Sequence, residues 1–456
     1  MEVVVVGAGK VGFAIAEKLT AEQHNVVVID LRADRLTVLN EALDVMTIEG
    51  SGACGPMLEQ AEIRKADLFI AVTNVDEINL VACQLAKYYG VPRRIARIGN
   101  LLFLPSDGGL KASDFGVDLF INPEQVCAQE LSRLLRFQAV NESQEFCDGR
   151  VMLIALTAAA PNPLIGQSLV SFQDNPAMQQ VRLVAISRDG ETIIPRGGTS
   201  VQPGDDLYFM APTDQVEGLF DFLGIENAPP QRVLIVGGGE IGLQTARLLE
   251  DQNVEVHLLE ENEERAEYIS QELHKALVFK GNARNLKDLR NAGLGAVDGY
   301  VATCGDDEVN ILSCLMSKQA GARKTLAIIR KPEYLPLLSS IKVVDAAVSP
   351  RLITASAILR FIRRGKILSA VTVRDIEAEV IEIEVEANSK INGKKIRQIS
   401  FPKDAVMGCI VRGNRVLPAQ GDETLLEKDR VVVLTRPKAI RTLENIFAKK
   451  ARGLIL

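Results

Sequence analysis

The residues with the clearest chemical potential in this sequence are glycines and one carboxylate. Gly7-x-Gly9-x-x-Gly12 follows the apolar run Val3–Val6 and opens a helix-forming stretch, and Asp30 closes the next apolar run, "VVVID". In such an arrangement the first glycine makes a tight turn, the second lets backbone approach a pyrophosphate, and the third lets helix pack on strand. The helix N-terminus then aims N–H groups and positive dipole at the phosphate. An acid at the end of the second strand accepts hydrogen bonds from both ribose hydroxyls and repels a 2′-phosphate. The chemistry is nucleotide binding, with NAD or an adenine nucleotide favoured over NADP. Arg32 lies close by, but Asp30 is expected to dominate.

The same set returns 230 residues later as Gly237-x-Gly239-x-x-Gly242 with Glu260. A lone glycine motif is a weak signal, whereas strand, turn, helix, strand and acid occurring twice is a strong one. The repeat extends further. "EGSGAC" around Gly50 matches "KGNARN" around Gly281, and "ADLFIAVTNVDEINLVAC" matches "VDGYVATCGDDEVNILSC". A spacing near 230 sets Thr73 beside Thr303 and Asn79 beside Asn310. Thr73-Asn74 and Thr303 end the fourth strands, where they either touch a ribose or phosphate or cap the following helix. Arg97 and Arg330 end the fifth strands, as phosphate forks or as lobe-to-lobe contacts. Aligned on Ala96 and Ala327, the first copy has Arg97 then Gly99 and the second Ile328 then Arg330, so the two sites are not expected to bind identically.

The elements that must position these residues alternate strand and helix, which predicts a Rossmann-like, doubly wound parallel sheet in each copy. A smaller α+β lobe follows each time: "VAISRDGETIIPRGG" and "GCIVRGNRVLPAQG" read as hairpins around Asp189-Gly190 and Gly413-Asn414. Each copy closes on a β-rich run after an acid, "DDLYFMAP" and "DRVVVLTRP". The expected domains are 1–140 and 231–350 for the nucleotide lobes and 141–226 and 351–456 for the small lobes, the last including a crossover helix. "ENAPPQ" (Glu226–Gln231) reads as the linker, with a weaker boundary near Asn141–Gly149.

Composition excludes several classes. Over 456 residues, 47% are hydrophobic and the net charge is −7, which supports real cores and gives no footing for nucleic acid. No apolar run approaches the ~18 residues of a membrane span. Val3–Val6, needed as a strand, leaves no room for a leader, so a cytoplasmic chain is expected. Seven cysteines without a CxxC pair read as small buried residues of a reducing compartment, with no metal site. Catalysis is not expected. No tyrosine has a lysine four residues on, and His24 and His257 fall at non-equivalent repeat positions. The alternative class is an NAD-dependent oxidoreductase with duplicated cofactor domains. "RFIRRGK" (Arg360–Lys366) reads as a helix C-terminal turn complementing the dipole or as a docking surface.

The runs "VVVVGAGKVG", "VVVID", "GSGA", "DLFIAVTNVDEINLVAC" and "ARI", followed by a small α+β lobe, resemble the RCK (KTN) module. That module is the cytosolic regulator of potassium channels and transporters. Two tandem modules resemble the TrkA-type regulatory subunits of Trk potassium uptake systems. The resemblance implies NAD(H) binding, with ATP or ADP as further ligands, and a homotetramer whose eight modules form a gating ring. The ring's partner would be a Trk-type transmembrane subunit, on the cytoplasmic face of the inner membrane. It implies a first site of Gly7, Ala8, Gly9, Lys10, Val11, Gly12, Asp30, Gly50, Ser51, Thr73, Asn74 and Arg97. The second would comprise Gly237, Gly238, Gly239, Glu240, Ile241, Gly242, Glu260, Thr303 and Arg330.

Overall fold

The computed structural model describes residues 1–100, 103, 112–136, 140, 142–227, 229–335, 337–338, 344–362, 367–373 and 376–447. Its first lobe runs β1 (Glu2–Val6), α1 (Lys10–Ala21), β2 (Asn25–Asp30), α2 (Ala33–Ala42), β3 (Met46–Glu49), α3 (Gly55–Gln60), β4 (Leu68–Ala71), α4 (Asp76–Tyr88), β5 (Arg94–Arg97), β6 (Leu119–Ile121) and α5 (Pro123–Arg136). The six strands form one sheet in the order β3-β2-β1-β4-β5-β6, all parallel. Valine-rich strands buried on both faces, such as Val3–Val6, are what a sheet covered by helices on each side requires. The order reverses between β1 and β4, and ligands of such sheets bind at that switch point, outside the strands' carboxyl ends.

The first small lobe comprises β7 (Glu142–Phe146), β8 (Val151–Thr157), α6 (Pro176–Gln180), β9 (Arg182–Arg188), β10 (Glu191–Ile193), β11 (Asp206–Pro212) and α7 (Val216–Leu223). The chain then repeats itself. The second large lobe has β12 (Arg232–Val236), α8 (Glu240–Asp251), β13 (Glu255–Glu260), α9 (Glu263–Glu272), β14 (Leu277–Lys280), α10 (Leu286–Asn291), β15 (Gly299–Ala302), α11 (Asp307–Gln319), β16 (Lys324–Ile328), β17 (Ala346–Val348) and α12 (Pro350–Ile362). Its sheet order, β14-β13-β12-β15-β16-β17, is that of the first. The second small lobe has β18 (Ile367–Thr372), β19 (Glu379–Glu384), β20 (Ala405–Arg412), β21 (Arg415–Pro418), β22 (Arg430–Thr435) and α13 (Ile440–Phe447). Both small sheets are antiparallel, ordered β10-β9-β11-β8-β7 and β18-β19-β22-β20-β21. The expected turn at Asp189-Gly190 joins β9 to β10 with both residues at positive φ, the geometry that matches hairpin twist.

Two compact units result: one holds Met1–Ser132 and Gln231–Ile362, the other Arg133–Pro230 and Arg363–Leu456. In the second unit the small sheets share a core in which Leu153, Tyr208 and Met210 meet Val380, Cys409 and Leu434. Gly408 is what allows the approach, because a Cβ there would lie 1.9 Å from the Met210 sulfur. Each small lobe also carries a buried carboxylate just before its last strand. Asp205 takes a two-pronged bond from Arg188 (2.8 Å twice), and Asp429 takes one from Arg412 (2.8 and 2.7 Å).

In the first unit, α1 and α12 are packed together, with Ala355, Ile358 and Leu359 buried beside Ile15 and Leu19. The basic stretch Arg360–Lys366 lies in large part outside the described residues. No helix among the described residues is long and apolar enough to cross a membrane.

Lys324, at the start of β16, is buried, and burial pushes its ammonium down to about 8 against the opposing pull of Asp345. The folded value lies below the unfolded 10.5, so between about pH 8 and 10.5 the unfolded chain holds more protons and stability rises with pH. Between pH 7 and 10 the stability of the native chain relative to Lys324→Met is expected to improve by about 2–3 kcal/mol. Guanidinium unfolding followed by circular dichroism at the two pH values measures it.

Candidate nucleotide cradles

Each cradle is built on a glycine that only glycine can replace. Gly7 and Gly237 have φ of +106° and +92°, and a Cβ on either would press on the backbone of the loop after the fourth strand. Their carbonyl oxygens lie 1.8 and 2.1 Å from where a Cβ of Gly12 or Gly242 would stand. Between them, Gly9 and Gly239 begin α1 and α8 without a side-chain cap. Space above them is open, since a Cβ on Gly239 would meet nothing within 4 Å and one on Gly9 only the Arg35 guanidinium at 3.9 Å. Uncapped N–H groups facing open space fit the pyrophosphate of a dinucleotide or the phosphates of an adenine nucleotide.

The two acids grip this loop from below. Asp30 accepts the N–H groups of Ala8 (2.6 Å) and Arg32 (2.9 Å), and Glu260 those of Gly238 (2.6 Å) and Asn262 (2.8 Å). Ile269 and the longer Glu260 together account for the glycine at 238. A Cβ at Gly238 would fall 2.9 Å from the Glu260 carboxylate and 2.2 Å from Ile269, whereas Ala8 fits above the shorter Asp30. The Arg32 guanidinium turns away onto Asp34.

The expected pairing of Thr73 with Thr303 is corrected by the structure. Thr73 N–H donates to Asn79 (2.9 Å), and the group that donates to Asn310 is Cys304 N–H (2.9 Å). Thr73 is therefore equivalent to Cys304, and Thr303 to Val72. The cause is one extra residue between α9 and β14, which moves the repeat from 230 to 231 thereafter. Thr303 points inward, its hydroxyl donating to the carbonyls of Val236 (3.0 Å) and Gly237 (2.7 Å) under the glycine turn. Cys304 lacks an oxygen to offer, and burial pushes its thiol up to about 11.

Arg97 ends β5 as expected, 3.6 Å from Glu124 at the start of α5. Arg330 does not end a strand. It lies two residues past β16 and donates to the Cys304 carbonyl (2.5 Å). Its backbone N–H bonds Asp307 as Gly99 N–H bonds Asp76, which places Arg330 opposite Gly99. Around the first cradle, Lys10 is exposed, Val11 packs against the core, Asn74 is exposed, and Gly50 backs onto Met57. Ser51 accepts the Ala53 N–H (3.3 Å). Glu240 and Ile241 occupy the corresponding helix start in the second.

Two features escape a reading by motif. Asn79 and Asn310, fully buried, staple the loop after the fourth strand to the fifth by donating to Arg97 and Ile328 carbonyls (2.9 Å each). Arg35 and Arg265, each five residues after the acid, arch over the turn. Arg35 comes within 3.7 Å of Asp30, and Arg265 donates to the Gly238 carbonyl (2.7 Å). That fixed offset in both copies was the available signal.

Two open cradles at the switch points of matched parallel sheets, each followed by an antiparallel lobe, define a duplicated Rossmann-type ligand-binding protein. The TrkA-N domain model matches residues 3–123 and 233–350, and the TrkA-C domain model matches 153–224 and 380–448. The chain belongs to the family of Trk system potassium uptake proteins TrkA. It is 34% identical over 454 residues to the Trk system potassium uptake protein TrkA of Vibrio alginolyticus, covering 98% of each chain. With that of Azorhizobium caulinodans it shares 35% over 456 residues, again 98% of each. Among solved structures, the GsuK channel bound to NAD superposes with a TM-score of 0.62 at 18% identity. That match covers 98% of this chain and 78% of the other, and shows that the fold is shared.

Proposed function

We propose that the chain is a ligand-controlled regulatory subunit whose large lobes bind NAD(H) or ADP and ATP and so gate a Trk-type membrane potassium channel. The observation that carries this reading is the pair of uncapped helix starts facing open glycine turns, each backed by an acid. Asp30 and Glu260 each use their oxygens on the loop and retain lone pairs for ribose hydroxyls. A nucleotide preferring one arrangement of the lobes shifts the protein by its differential affinity. Four chains would supply eight lobes beneath the channel. We read the role as regulatory rather than catalytic, and in keeping with that His257 is engaged with the Ala292 carbonyl (2.6 Å) and Glu255 (3.1 Å).

The first cradle is the stronger phosphate site. Lys10 stands at the start of α1, and among the described residues it makes no ion pair. Its counterpart Glu240 is acidic and lies 3.6 Å from Arg265, placing a negative charge at the helix start and offsetting that cation over the turn. Leu31, 71% exposed beside Asp30, offers an apolar face to an adenine, whereas its counterpart Glu261 is bonded by Asn282 (2.7 Å). Arg284 and Asp306 pair at 2.9 Å in the second lobe, where the first has Ala53 and Val75. Calorimetric titration with NADH and ATP tests the reading. Asp30→Ala is expected to remove the tighter heat, and Lys10→Glu to weaken it about tenfold, the scale of one charge-assisted phosphate contact. Glu240→Lys should strengthen the weaker site. Unchanged heats in Asp30→Ala and Glu260→Ala would sink the assignment.

A further inference from the structure

Arg351 opens α12, the helix that leaves the second large lobe, yet its side chain lies against the first. The guanidinium stands over the Phe13 ring at 5.1 Å and 3.6 Å from a carboxylate oxygen of Glu17, both on α1. Its Nε is buried and has no acceptor. Phe13 N–H bonds the Gly9 carbonyl at 2.9 Å, so Gly9, Phe13 and Glu17 succeed one another along one face of α1. Glu17 is a half-exposed and distant counter-ion. One turn in the other direction, about 5.4 Å, lies the uncapped start of α1.

We infer that Arg351 is a phosphate-binding residue of the first cradle supplied by the second half of the chain, taking the distal phosphate of an adenine nucleotide in exchange for Glu17. The inference rests on the first cradle being a nucleotide site. A guanidinium laid over an aromatic ring is held in plane, and the long 3.6 Å contact with Glu17 is one that phosphate oxygens can displace from its fork. Its buried, unaccepted N–H is a donor that native structures rarely leave unused. The cation is particular to this junction, not a property of the helix start. In the first half the matching residue after Asn122-Pro123 is Glu124, paired with Arg97 at 3.6 Å. A ligand reaching Arg351 ties α1 of the first lobe to α12 of the second, and its distal phosphate becomes a coupling element between the halves.

Full-length Arg351→Met, Arg351→Lys, Glu17→Gln and Asp30→Ala chains, titrated calorimetrically with ATP, ADP and AMP, test this. Arg351→Met is expected to lose about 10- to 100-fold in ATP affinity and nothing in AMP affinity, the lysine variant to recover part of the loss, and Glu17→Gln to bind ATP more tightly. Two results would overturn the inference while leaving the cradle intact. One is native ATP affinity in Arg351→Met with binding lost in Asp30→Ala. The other is an equal loss of ATP and AMP, which marks a residue that only seats α12 on α1. Native binding in Asp30→Ala would overturn the nucleotide reading itself.

Discussion

An Asp205→Ala or Asp429→Ala chain is expected to lose about 3–5 kcal/mol of stability in its small-lobe unit, the scale of breaking a buried ion pair from one side. Both carboxylates are 1% exposed. Asp205 takes the Arg188 guanidinium and the Gln202 N–H (2.8 Å), and Asp429 takes Arg412 and the Leu426 N–H (2.8 Å). Each arginine also reaches a loop carbonyl, Ser200 or Thr424. Removing the acid leaves a partly exposed guanidinium and a backbone N–H without their acceptor. Burial alone would raise the Asp205 carboxyl, yet Arg188 and the Gln202 N–H hold it below its ordinary range. The bond therefore persists in mild acid and is lost only as pH falls through that depressed value. The chain contains no tryptophan, so far-ultraviolet circular dichroism or calorimetry is the suitable probe. A loss under 1 kcal/mol in both variants would show the pair to be replaceable by water.

Gly12→Ala is the second large effect, and Gly242→Ala its counterpart. The added carbon meets a backbone carbonyl at 1.8 Å or 2.1 Å, which no rotamer can relieve. The turn must deform, at a cost of about 3 kcal/mol. Since the same turn presents the helix N-terminus, Gly12→Ala should also remove the tighter nucleotide heat, and Gly242→Ala should spare it. Native nucleotide affinity in Gly12→Ala would mean that the turn is not the phosphate seat.

Much of this was legible because the large lobes announce themselves locally. Runs such as Val3–Val6, a glycine turn and an amphipathic helix need only neighbours in sequence to be recognised. Both doubly wound sheets, the small α+β lobes with their hairpins and the Asp189-Gly190 turn followed. The grouping of lobes did not, because the order along the chain alternates large and small whereas the compact units gather like with like. Contacts between Met210 and Gly408, or Arg351 and Phe13, join residues hundreds of positions apart and leave no periodic trace. The Thr73–Thr303 pairing failed for a smaller reason. A spacing near 230 blurs a one-residue step that Gly50 with Gly281 and Asn79 with Asn310, each 231 apart, already carry. Thr303 falls at the position of Val72, under the turn. The acids before "DLYFMAP" and "RVVVLT" were visible, but not their arginines, each 17 positions earlier across a hairpin.

The fit of Gly238 beneath Glu260 bears on the history of the duplication. Ala8 with Asp30 and Gly238 with Glu260 are each self-consistent, but alanine above the longer acid is not. In two copies of one unit these positions are therefore not independent: a methyl at 238 asks for a shorter or displaced acid at 260. The positions are coupled, and Glu260→Asp relieves only the 2.9 Å contact and leaves the 2.2 Å contact with Ile269. Where Ile269 also crowds the site, a third change would have to come with them, so the second cradle returns to the first's form less readily than a count of two substitutions suggests.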